Sequence, residues 1–255
     1  MRQASILAAA ALIGAALPIR AQNLVERIHQ TKNGEVWLGF ETEPDVCGDG
    51  AGMIQSGDHH MRTEGDSWGH TCMHGPARVV LRMSDGRIRK VKTYVGPDWP
   101  KAGSSVTDLG MVSPEAGAKA LVSIAAEGSA AADAIFPATI ANDVIIWPDL
   151  LTLAKRKDAP EESRKQAIFW LGQAAGDKAT EGLTDLAQDD EASEVRESAV
   201  FALSQLQDGD GVPALIRLAK TNKHPDVRRK ALFWLGQSED PRAVNLFEEI
   251  LTGSR

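Results

Sequence analysis

The sequence has no excess of positive charge. Its 255 residues include 28 Lys and Arg against 35 Asp and Glu, which gives a net charge of −7. Proteins that bind the phosphate backbone of nucleic acids usually present a basic surface, because the affinity comes largely from neutralised phosphates. A general nucleic-acid-binding function is therefore disfavoured.

Recognisable catalytic patterns are also missing. The chain has no Gly-x-Ser-x-Gly nucleophile elbow, no His-Glu-x-x-His zinc motif and no phosphate-binding glycine loop. Asp66, Ser67 and His70 lie too close together in the sequence for a typical catalytic triad, whose members come from separate segments. We therefore expect a protein that is not an enzyme and that carries no cofactor.

Long apolar runs are absent except at the N-terminus. Arg2 precedes the uncharged run Ile6 to Leu17, which Pro18 ends just before Ile19-Arg20-Ala21. This order is typical of a secretory signal peptide at residues 1–21, cleaved after Ala21. The run is shorter than the roughly 20 residues of a membrane-spanning helix. We expect a periplasmic or secreted protein that is not inserted in a membrane.

What the sequence does contain is a repeat. Three segments of equal length align without gaps, and the offset from the first to the second equals the offset from the second to the third. They are Arg164–Gln173 (RKQAIFWLGQ), Arg196–Gln205 (RESAVFALSQ) and Arg228–Gln237 (RRKALFWLGQ). Arg, Ala, Phe, Leu and Gln recur at the same five positions. A fixed period of this length is characteristic of stacked repeat architectures.

Each segment is followed by a second amphipathic stretch, so each repeat is predicted to be a pair of helices. These stretches are residues 178–188, 211–220 and 242–251. The fourth, fifth and eighth positions of each segment form an apolar stripe, which is buried only when neighbouring pairs stack. Phe169, Phe201 and Phe233 are expected to widen that stripe, and Trp170 and Trp234 are expected to be packing residues.

The spacing Asp/Asn-x5-Arg-x2-Ala-x3-Leu within paired helices resembles HEAT repeats, in particular the short HEAT-like type that is also found in phycobiliprotein lyases. The resemblance covers about residues 114–252, and the Phe-Trp-Leu-Gly-Gln segments are similar to those of secreted bacterial proteins with HEAT repeats. In HEAT families these Asp and Arg positions bridge adjacent repeats. The resemblance implies three such pairs here: Asp158 with Arg164, Asp190 with Arg196, and Asn222 with Arg228.

These patterns predict an α+β protein. A signal peptide (1–21) is followed by a small β-rich domain (22–100) that contains a hairpin and a disulfide. A linker (101–113) then leads to an α-solenoid of short HEAT-like helix pairs (114–255). Three clear repeats start at residue 164, and one or two degenerate repeats are expected before them.

Shorter elements are predicted on each side of the linker. Val36–Phe40 suits a strand, and Val79–Met83 with Arg87–Val95 suits a hairpin around Ser84-Asp85-Gly86, where glycine can adopt a positive φ. The degenerate solenoid helices are expected at residues 114–127, 130–141 and 147–157.

A long loop, residues 41–76, separates the first strand from the hairpin and holds both cysteines. In an oxidising compartment Cys47 and Cys72 are expected to form a disulfide. The alternative is a copper or zinc site, because imidazole and sulfur bind both ions. The candidate metal ligands are His59, His60, His70 and His74.

The hairpin is basic and the loop before it is acidic, which leaves two interpretations open. In one, the hairpin contacts an acidic partner; in the other, the loop folds over the hairpin and neutralises it. The basic residues are Arg78, Arg82, Arg87, Arg89, Lys90 and Lys92. The acidic residues are Glu41, Glu43, Asp45, Asp49, Asp58, Glu64 and Asp66.

Stacked helix pairs favour a scaffold that binds another protein over a metal-binding envelope protein. A lyase-type enzyme rests on fold analogy alone. We expect the second helix of each repeat to line the concave side of the solenoid. The candidate partner-binding residues are Glu181, Asp185, Arg217, Lys220, Glu248 and Glu249.

Overall fold

A computed structural model describes residues 21–56, 59–62, 72–97, 103, 105–174 and 177–253. The strands are β1 (Gly34–Phe40), β2 (Val46–Gly48), β3 (Met53–Ser56), β4 (His59–Arg62), β5 (Met73–His74), β6 (Ala77–Ser84), β7 (Arg87–Val95) and β8 (Val106–Met111). The helices are α1 (Ala21–Gln30), α2 (Pro114–Ala125), α3 (Ile135–Thr139), α4 (Trp147–Lys155), α5 (Glu161–Ala174), α6 (Asp177–Asp189), α7 (Ser193–Ser204), α8 (Val212–Thr221), α9 (Pro225–Gln237) and α10 (Pro241–Thr252). Two short 3₁₀ helices are Ser129–Ala134 and Gln207–Gly209.

The larger sheet, called here the main sheet, has the strand order β7-β6-β1-β8. The β6–β7 hairpin is confirmed, and its two turn residues Asp85 and Gly86 both have positive φ, 54° and 71°. Two positive φ values give a turn whose twist matches that of the flanking strands. Strand β1 lies antiparallel to β6 and parallel to β8.

The linker prediction was wrong over residues 106–111, because these residues form β8 at the edge of the main sheet. Its sequence, VTDLGM, buries Leu109 alone and leaves the rest partly or fully exposed. A short edge strand with one buried side chain has no clear alternation of apolar and polar residues. The β-rich part therefore extends past residue 100.

The loop predicted at 41–76 contains a second, smaller sheet with the strand order β4-β3-β2-β5. The predicted disulfide is confirmed: Cys47 on β2 is bonded to Cys72, which immediately precedes β5 (Cα–Cα 5.3 Å). Strands of two to four residues are too short to produce a periodic signal in the sequence. The disulfide therefore fastens β2 close to β5, its partner strand.

The sheet region and the helices share one continuous hydrophobic core, which extends from Leu24 on α1 to Leu246 on α10. Helix α2 lies against α1 and β1, and a Cβ atom at Gly117 would lie 2.9 Å from the Phe40 ring. Glycine at this position allows the helix to approach the sheet closely. The β-rich part is thus joined to the solenoid by packing as well as by the chain.

The repeat period is confirmed as a helical array, because the three aligned segments lie on α5, α7 and α9. Their alanines and leucines are buried: Ala167, Leu171, Ala199, Leu203, Ala231 and Leu235. Each second helix packs most closely on the first helix that follows it, so the tight pairs are α4 with α5, α6 with α7 and α8 with α9. Before them, α2 and α4 confirm two expected helices, whereas the helix expected at 130–141 is a 3₁₀ turn followed by the short α3.

The solenoid has two layers that are packed differently. Helices α5, α7 and α9 form the inner layer, in which neighbouring helices contact each other extensively. A Cβ atom at Gly172 on α5 would lie 3.1 Å from that of Ala202 on α7. Helices α4, α6, α8 and α10 form the outer layer, with few contacts between neighbours.

No helix within the described ranges combines the length and the apolar character that crossing a bilayer requires.

Candidate functional site

The predicted partner-binding residues lie on the outer layer, on α6, α8 and α10. The expectation that these helices line the concave side stays a prediction. Part of the charge of these residues is used between neighbouring helices. Lys155 Nζ lies 3.3 Å from Asp185 Oδ2, and Lys220 Nζ lies 2.7 Å from Glu249 Oε2. The other predicted residues are Glu181, which lines a shallow depression with Asp185 and Arg217, and Glu248 on α10.

A buried ion pair connects the first two repeats. The Arg164 guanidinium donates to the Ala154 carbonyl (2.8 Å) and to the Asp190 carboxylate of the next repeat. The side chains of Arg164 and Asp190 are only 6 % and 5 % exposed. Arg164 therefore bridges two repeats, and it does so by reaching forward to the acid of the following repeat.

At the second junction Arg196 also reaches forward to an acid of the following repeat. That acid is Asp226, because the position equivalent to Asp190 is an asparagine. Arg196 Nη1 donates to the Asp190 carbonyl (2.8 Å), and its Nη2 donates to Asp226 Oδ2 (2.9 Å) in the next repeat. Asn222 occupies the position equivalent to Asp190 and accepts from the His224 N–H (2.8 Å). The predicted third pair survives as a bond from Arg228 Nη1 to the Asn222 carbonyl (2.7 Å).

The Asp226 carboxyl shows the effect of this contact. Burial raises its pKa, but hydrogen bonds from Arg196 and from backbone N–H groups outweigh it, and the pKa lies below the ordinary 3.8. The charged form of Asp226 is therefore the one that the junction stabilises.

The predicted pair of Asp158 with Arg164 was wrong. Asp158 is exposed and accepts two hydrogen bonds from Arg156 (3.2 and 2.6 Å). In this ladder an acid pairs with the arginine of the preceding repeat. For Asp158 that arginine would be at position 132, which is an alanine, so Asp158 has no such partner in the preceding repeat. The ladder of arginines and acids thus begins at Arg164.

An aromatic row crosses the inner layer, where buried phenylalanines were expected. Phe169 is 39 % exposed and Phe233 is 55 % exposed. Each packs edge-on against the tryptophan that follows it, with ring centroids 5.1 and 5.0 Å apart. Two further contacts join Phe136 to Trp170 (5.3 Å) and Phe201 to Trp234 (5.1 Å). We call these six residues the aromatic row.

The phenylalanines do occupy equivalent positions on their helices, but they point away from the buried stripe. Ala167, Ile168 and Leu171 already supply the face of α5 that packs inward. A helix in a two-layer stack leaves its opposite side to solvent. The signal that was missed is a large aromatic recurring just outside the stripe in every repeat.

A cavity of about 500 Å³ adjoins the row where α5 faces the main sheet. We call it the slot. Its walls come from β7 and the start of β3 on one side, and from α3, α5 and the first 3₁₀ helix on the other. The lining residues are Ala51, Gly52, Ile54, Lys90, Val91, Lys92, Thr93, Tyr94, Ala132, Asp133, Phe136, Gln166 and Trp170.

Two ionisable groups of the slot are affected by their surroundings. Burial raises the pKa of the Tyr94 hydroxyl, and the nearby Glu35 charge adds to this effect. Burial also raises the pKa of the Asp133 carboxyl, followed by the Glu162 charge. Both groups are therefore held toward their neutral forms.

The basic hairpin is not neutralised by the described part of the acidic loop. Arg78 pairs with Asp108 on β8 (3.3 Å) and stacks on Trp37 (5.0 Å to the ring centroid). Arg82 pairs with Glu35 on β1 (3.4 Å). In the loop, Asp49 accepts hydrogen bonds from backbone N–H groups of its own turn. The loop acids Asp58, Glu64 and Asp66 lie outside the described residues.

The candidate metal ligands can be placed only in part. His74 Nδ1 is 3.0 Å from the Val46 carbonyl, and both cysteines are in the disulfide. His70 and the side chains of His59 and His60 lie outside what the structure describes. Among the side chains that it does describe, no three His, Cys, Asp or Glu residues are grouped to hold a metal ion.

Comparison with known proteins gives one family. Residues 148–223 and 180–255 match the family of HEAT repeats. Among solved structures, the chain is similar to the complex of CpcE and CpcF of phycocyanin lyase from Nostoc sp. PCC7120, at 21 % identity over 56 % of this chain and 84 % of that chain, with a TM-score of 0.31. No curated protein matches the chain. The matched residues, 148–255, are those that form the helical array from α4 to α10.

Proposed function

We propose that this protein is a non-enzymatic interaction scaffold of the cell envelope that binds another protein on the inner layer of its solenoid. The observation that supports this proposal is the aromatic row, in which Phe169 of the first repeat and Phe233 of the third remain exposed at equivalent positions, with the half-buried Phe201 between them in the sequence. Exposed aromatic side chains that form a contiguous patch are typical of protein-binding surfaces.

The row is also well anchored. Trp170 and Trp234 are half-buried against the core, and each supports an exposed phenylalanine edge-on. On the helices of the inner layer, Arg164 and Arg196 bond to acids of the following repeat, which holds neighbouring repeats in register. A surface that is already ordered loses little conformational entropy on binding, which favours affinity.

We prefer the row to the outer-layer residues predicted from the sequence. Three of those charges, Asp185, Lys220 and Glu249, already have ion-pair partners on neighbouring helices. Exposed pairs of this kind contribute about 0–1 kcal/mol and are screened by salt. The charges of the outer layer would therefore contribute little to affinity, as charges at the rim of an interface do.

The cell-envelope location rests on two features of the chain. The Cys47–Cys72 disulfide is the form that cysteine pairs adopt in oxidising compartments. The N-terminal signal-peptide pattern supplies a route there. Mass spectrometry of the protein from an envelope fraction tests both features: we expect an N-terminus at Gln22 and an oxidised cysteine pair. Reduced cysteines with an intact N-terminal segment would contradict this location.

The interaction is tested by comparing two variants that remove apolar surface of similar kind. Immobilised wild-type protein is incubated with envelope extract of the source organism, and the retained proteins are quantified. The double variant F169A/F233A should lose its specific partner without losing helical content, because both rings are exposed.

The matched control is Ile145→Ala, which removes an apolar side chain that is 75 % exposed and lies outside the row. It should retain the partner at the wild-type level. Equal retention by F169A/F233A and the wild type would move the site elsewhere. In that case, reversing the charges of Glu181, Asp185, Arg217, Lys220, Glu248 and Glu249 tests the outer layer.

A further inference from the structure

Strand β7 ends the main sheet on one side, and its outer backbone edge opens into the slot. Within the described part of the chain, a single backbone bond reaches this edge, from the Gly50 N–H to the Val95 carbonyl (3.0 Å). The N–H and C=O of one residue point to the same side of a strand, and successive residues alternate. Since Val95 points outward, the backbone groups of Thr93 and Val91 also point outward, into the slot.

From this edge we infer that the slot binds one extended segment of an acidic peptide bearing large apolar side chains. The segment adds to β7 as a fifth strand of the main sheet. Peptides bind exposed sheet edges in this way, with main-chain hydrogen bonds for affinity and alternate side chains for specificity. The inference rests on the proposed function in one respect, namely that the ligand is part of a protein.

The dimensions of the slot suit a short strand. The lining stretch of β7 runs from Lys90 to Tyr94, which spans roughly 13 Å at ~3.3 Å per residue. Its pairing with β6 is regular over these residues, because the register irregularity lies beyond Lys90, toward the turn. Val91 and Thr93 therefore offer two N–H and two C=O groups to an incoming strand.

The charge of the edge favours an acidic segment. Lys90 and Lys92 are exposed on the same face of β7, and neither has a carboxylate within ion-pair distance in the described part of the chain. The carboxyl that lines the slot, Asp133, has its pKa raised by burial and by Glu162, and the Lys90 charge offsets this only in part. Two lysines with exposed side chains thus line the slot beside the position of the added strand.

The opposite wall favours apolar side chains. The Phe136 and Trp170 rings are in contact (5.3 Å between centroids), and both line the slot. Gln166, one turn before Trp170 on α5, adds a polar group at the same wall. Since side chains of a strand alternate between two sides, a segment of alternating acidic and apolar residues satisfies both walls.

The test uses a fluorescein-labelled eight-residue peptide of alternating glutamate and leucine, and anisotropy titration against the full-length chain. Two N-methylated versions of this peptide, called here the twins, serve as probes of the main-chain bonds. One carries N-methyl groups on the glutamate amides and the other carries them on the leucine amides. An added strand bonds β7 through one set of amides only. We expect one twin to bind at least about tenfold more weakly than the parent and the other to bind like the parent, because each lost main-chain bond weakens binding by a factor of this order.

Variants of β7 locate the binding. Thr93→Pro removes an outward N–H at an edge, where proline is tolerated, and Lys92→Glu reverses a charge of the slot. Each should weaken binding at least about tenfold. The matched control is Arg87→Glu, an exposed residue of the same strand outside the slot, whose effect should stay within about twofold. If Thr93→Pro fails to fold, Lys92→Glu and the two twins still decide.

Absent binding of the parent peptide, equal binding of both twins, or equal effects of Lys92→Glu and Arg87→Glu would each overturn the inference. The two proposals fail separately. If the peptide does not bind but F169A/F233A still loses the envelope partner, the slot assignment falls and the scaffold stands. If the peptide binds as expected and F169A/F233A retains the partner, the aromatic row is not the contact surface.

Discussion

Ion pairs connect neighbouring repeats in both layers of the solenoid, but the pair in the inner layer is buried and the pair in the outer layer is exposed. In the inner layer, Arg164 and Asp190 meet between repeats with about 6 % and 5 % of each side chain exposed. In the outer layer, Lys220 and Glu249 also meet between neighbouring elements, but about 44 % and 47 % of each remains exposed. The pairs share their charges and differ in burial. Burial therefore decides which of them the fold depends on.

The difference follows from packing. Small residues such as Gly172 and Ala202 bring the inner helices together, which removes water from the arginines that start them. Outer helices have few contacts with each other, so their charges stay hydrated. Arg164 donates to a backbone carbonyl as well as to Asp190, because the planar guanidinium holds its N–H groups in a fixed arrangement that suits several acceptors. The single ammonium group of a lysine lacks this arrangement. An arginine in the tight layer is thus part of the structure, whereas a lysine in the loose layer is a surface group.

The largest effect should come from breaking the buried pair. Asp190→Ala leaves the Arg164 guanidinium buried without its carboxylate, a change that typically costs about 3–5 kcal/mol. Urea denaturation followed by circular dichroism measures the free energy of unfolding.

The matched control for that change is Asp158→Ala, at the equivalent repeat position but 72 % exposed. It should change the free energy of unfolding by about 0.5 kcal/mol or less, as surface substitutions usually do. Equal losses for the two variants would mean that burial is not what separates the layers.

An intermediate effect is expected at the second junction, where Asp226 is a quarter exposed. Asp226→Asn removes a charged partner of Arg196 and should destabilise the protein by about 1.5–3 kcal/mol at neutral pH. The pKa of Asp226 is lowered in the folded protein, so its contribution is present above the unfolded pKa of about 3.9 and is lost as the pH falls below it.

The pH series makes this prediction specific. The difference in unfolding free energy between wild type and Asp226→Asn should be constant from pH 7 to about 5 and should shrink below about pH 4. The isosteric control Asp143→Asn changes an exposed acid that belongs to no junction between repeats. A difference that stays constant down to pH 2 would show that the charge of Asp226 is not what the junction uses.

The sequence predicted the inner layer well and its solvent side poorly. A constant repeat period with buried Ala and Leu leaves one arrangement open, which is a stack of helices. The same period does not tell whether Phe169 lies inside or outside, because an aromatic beside an apolar stripe fits both. The forward reach from Arg164 to Asp190 also depends on the stacking distance, which a sequence does not contain.

The N-terminal part was harder to predict, and the reasons are physical. The β6–β7 hairpin has long strands and a glycine turn, so it was visible. Strand β8 pairs with β1 although the smaller sheet and the whole hairpin lie between them in the chain, and such a distant pairing leaves no local pattern. The slot arises where β7 meets α3 and α5, three elements that fold together from separate parts of the chain. No segment read alone contains it.

The smallest effect should come from the outer pair, and it sharpens the comparison most directly. A double-mutant cycle that compares the wild type with K220A, E249A and the double variant measures the coupling free energy between Lys220 and Glu249. It should be about 0.2–1 kcal/mol in low salt. It should fall toward zero at 1 M NaCl, because the Debye length there is only about 3 Å. The loss in Asp190→Ala should persist in the same salt, since that pair is almost fully buried and buried charges are screened much less. A coupling energy between Lys220 and Glu249 that is unchanged in 1 M salt would show that the outer pair is no more sensitive to screening than the buried inner pair.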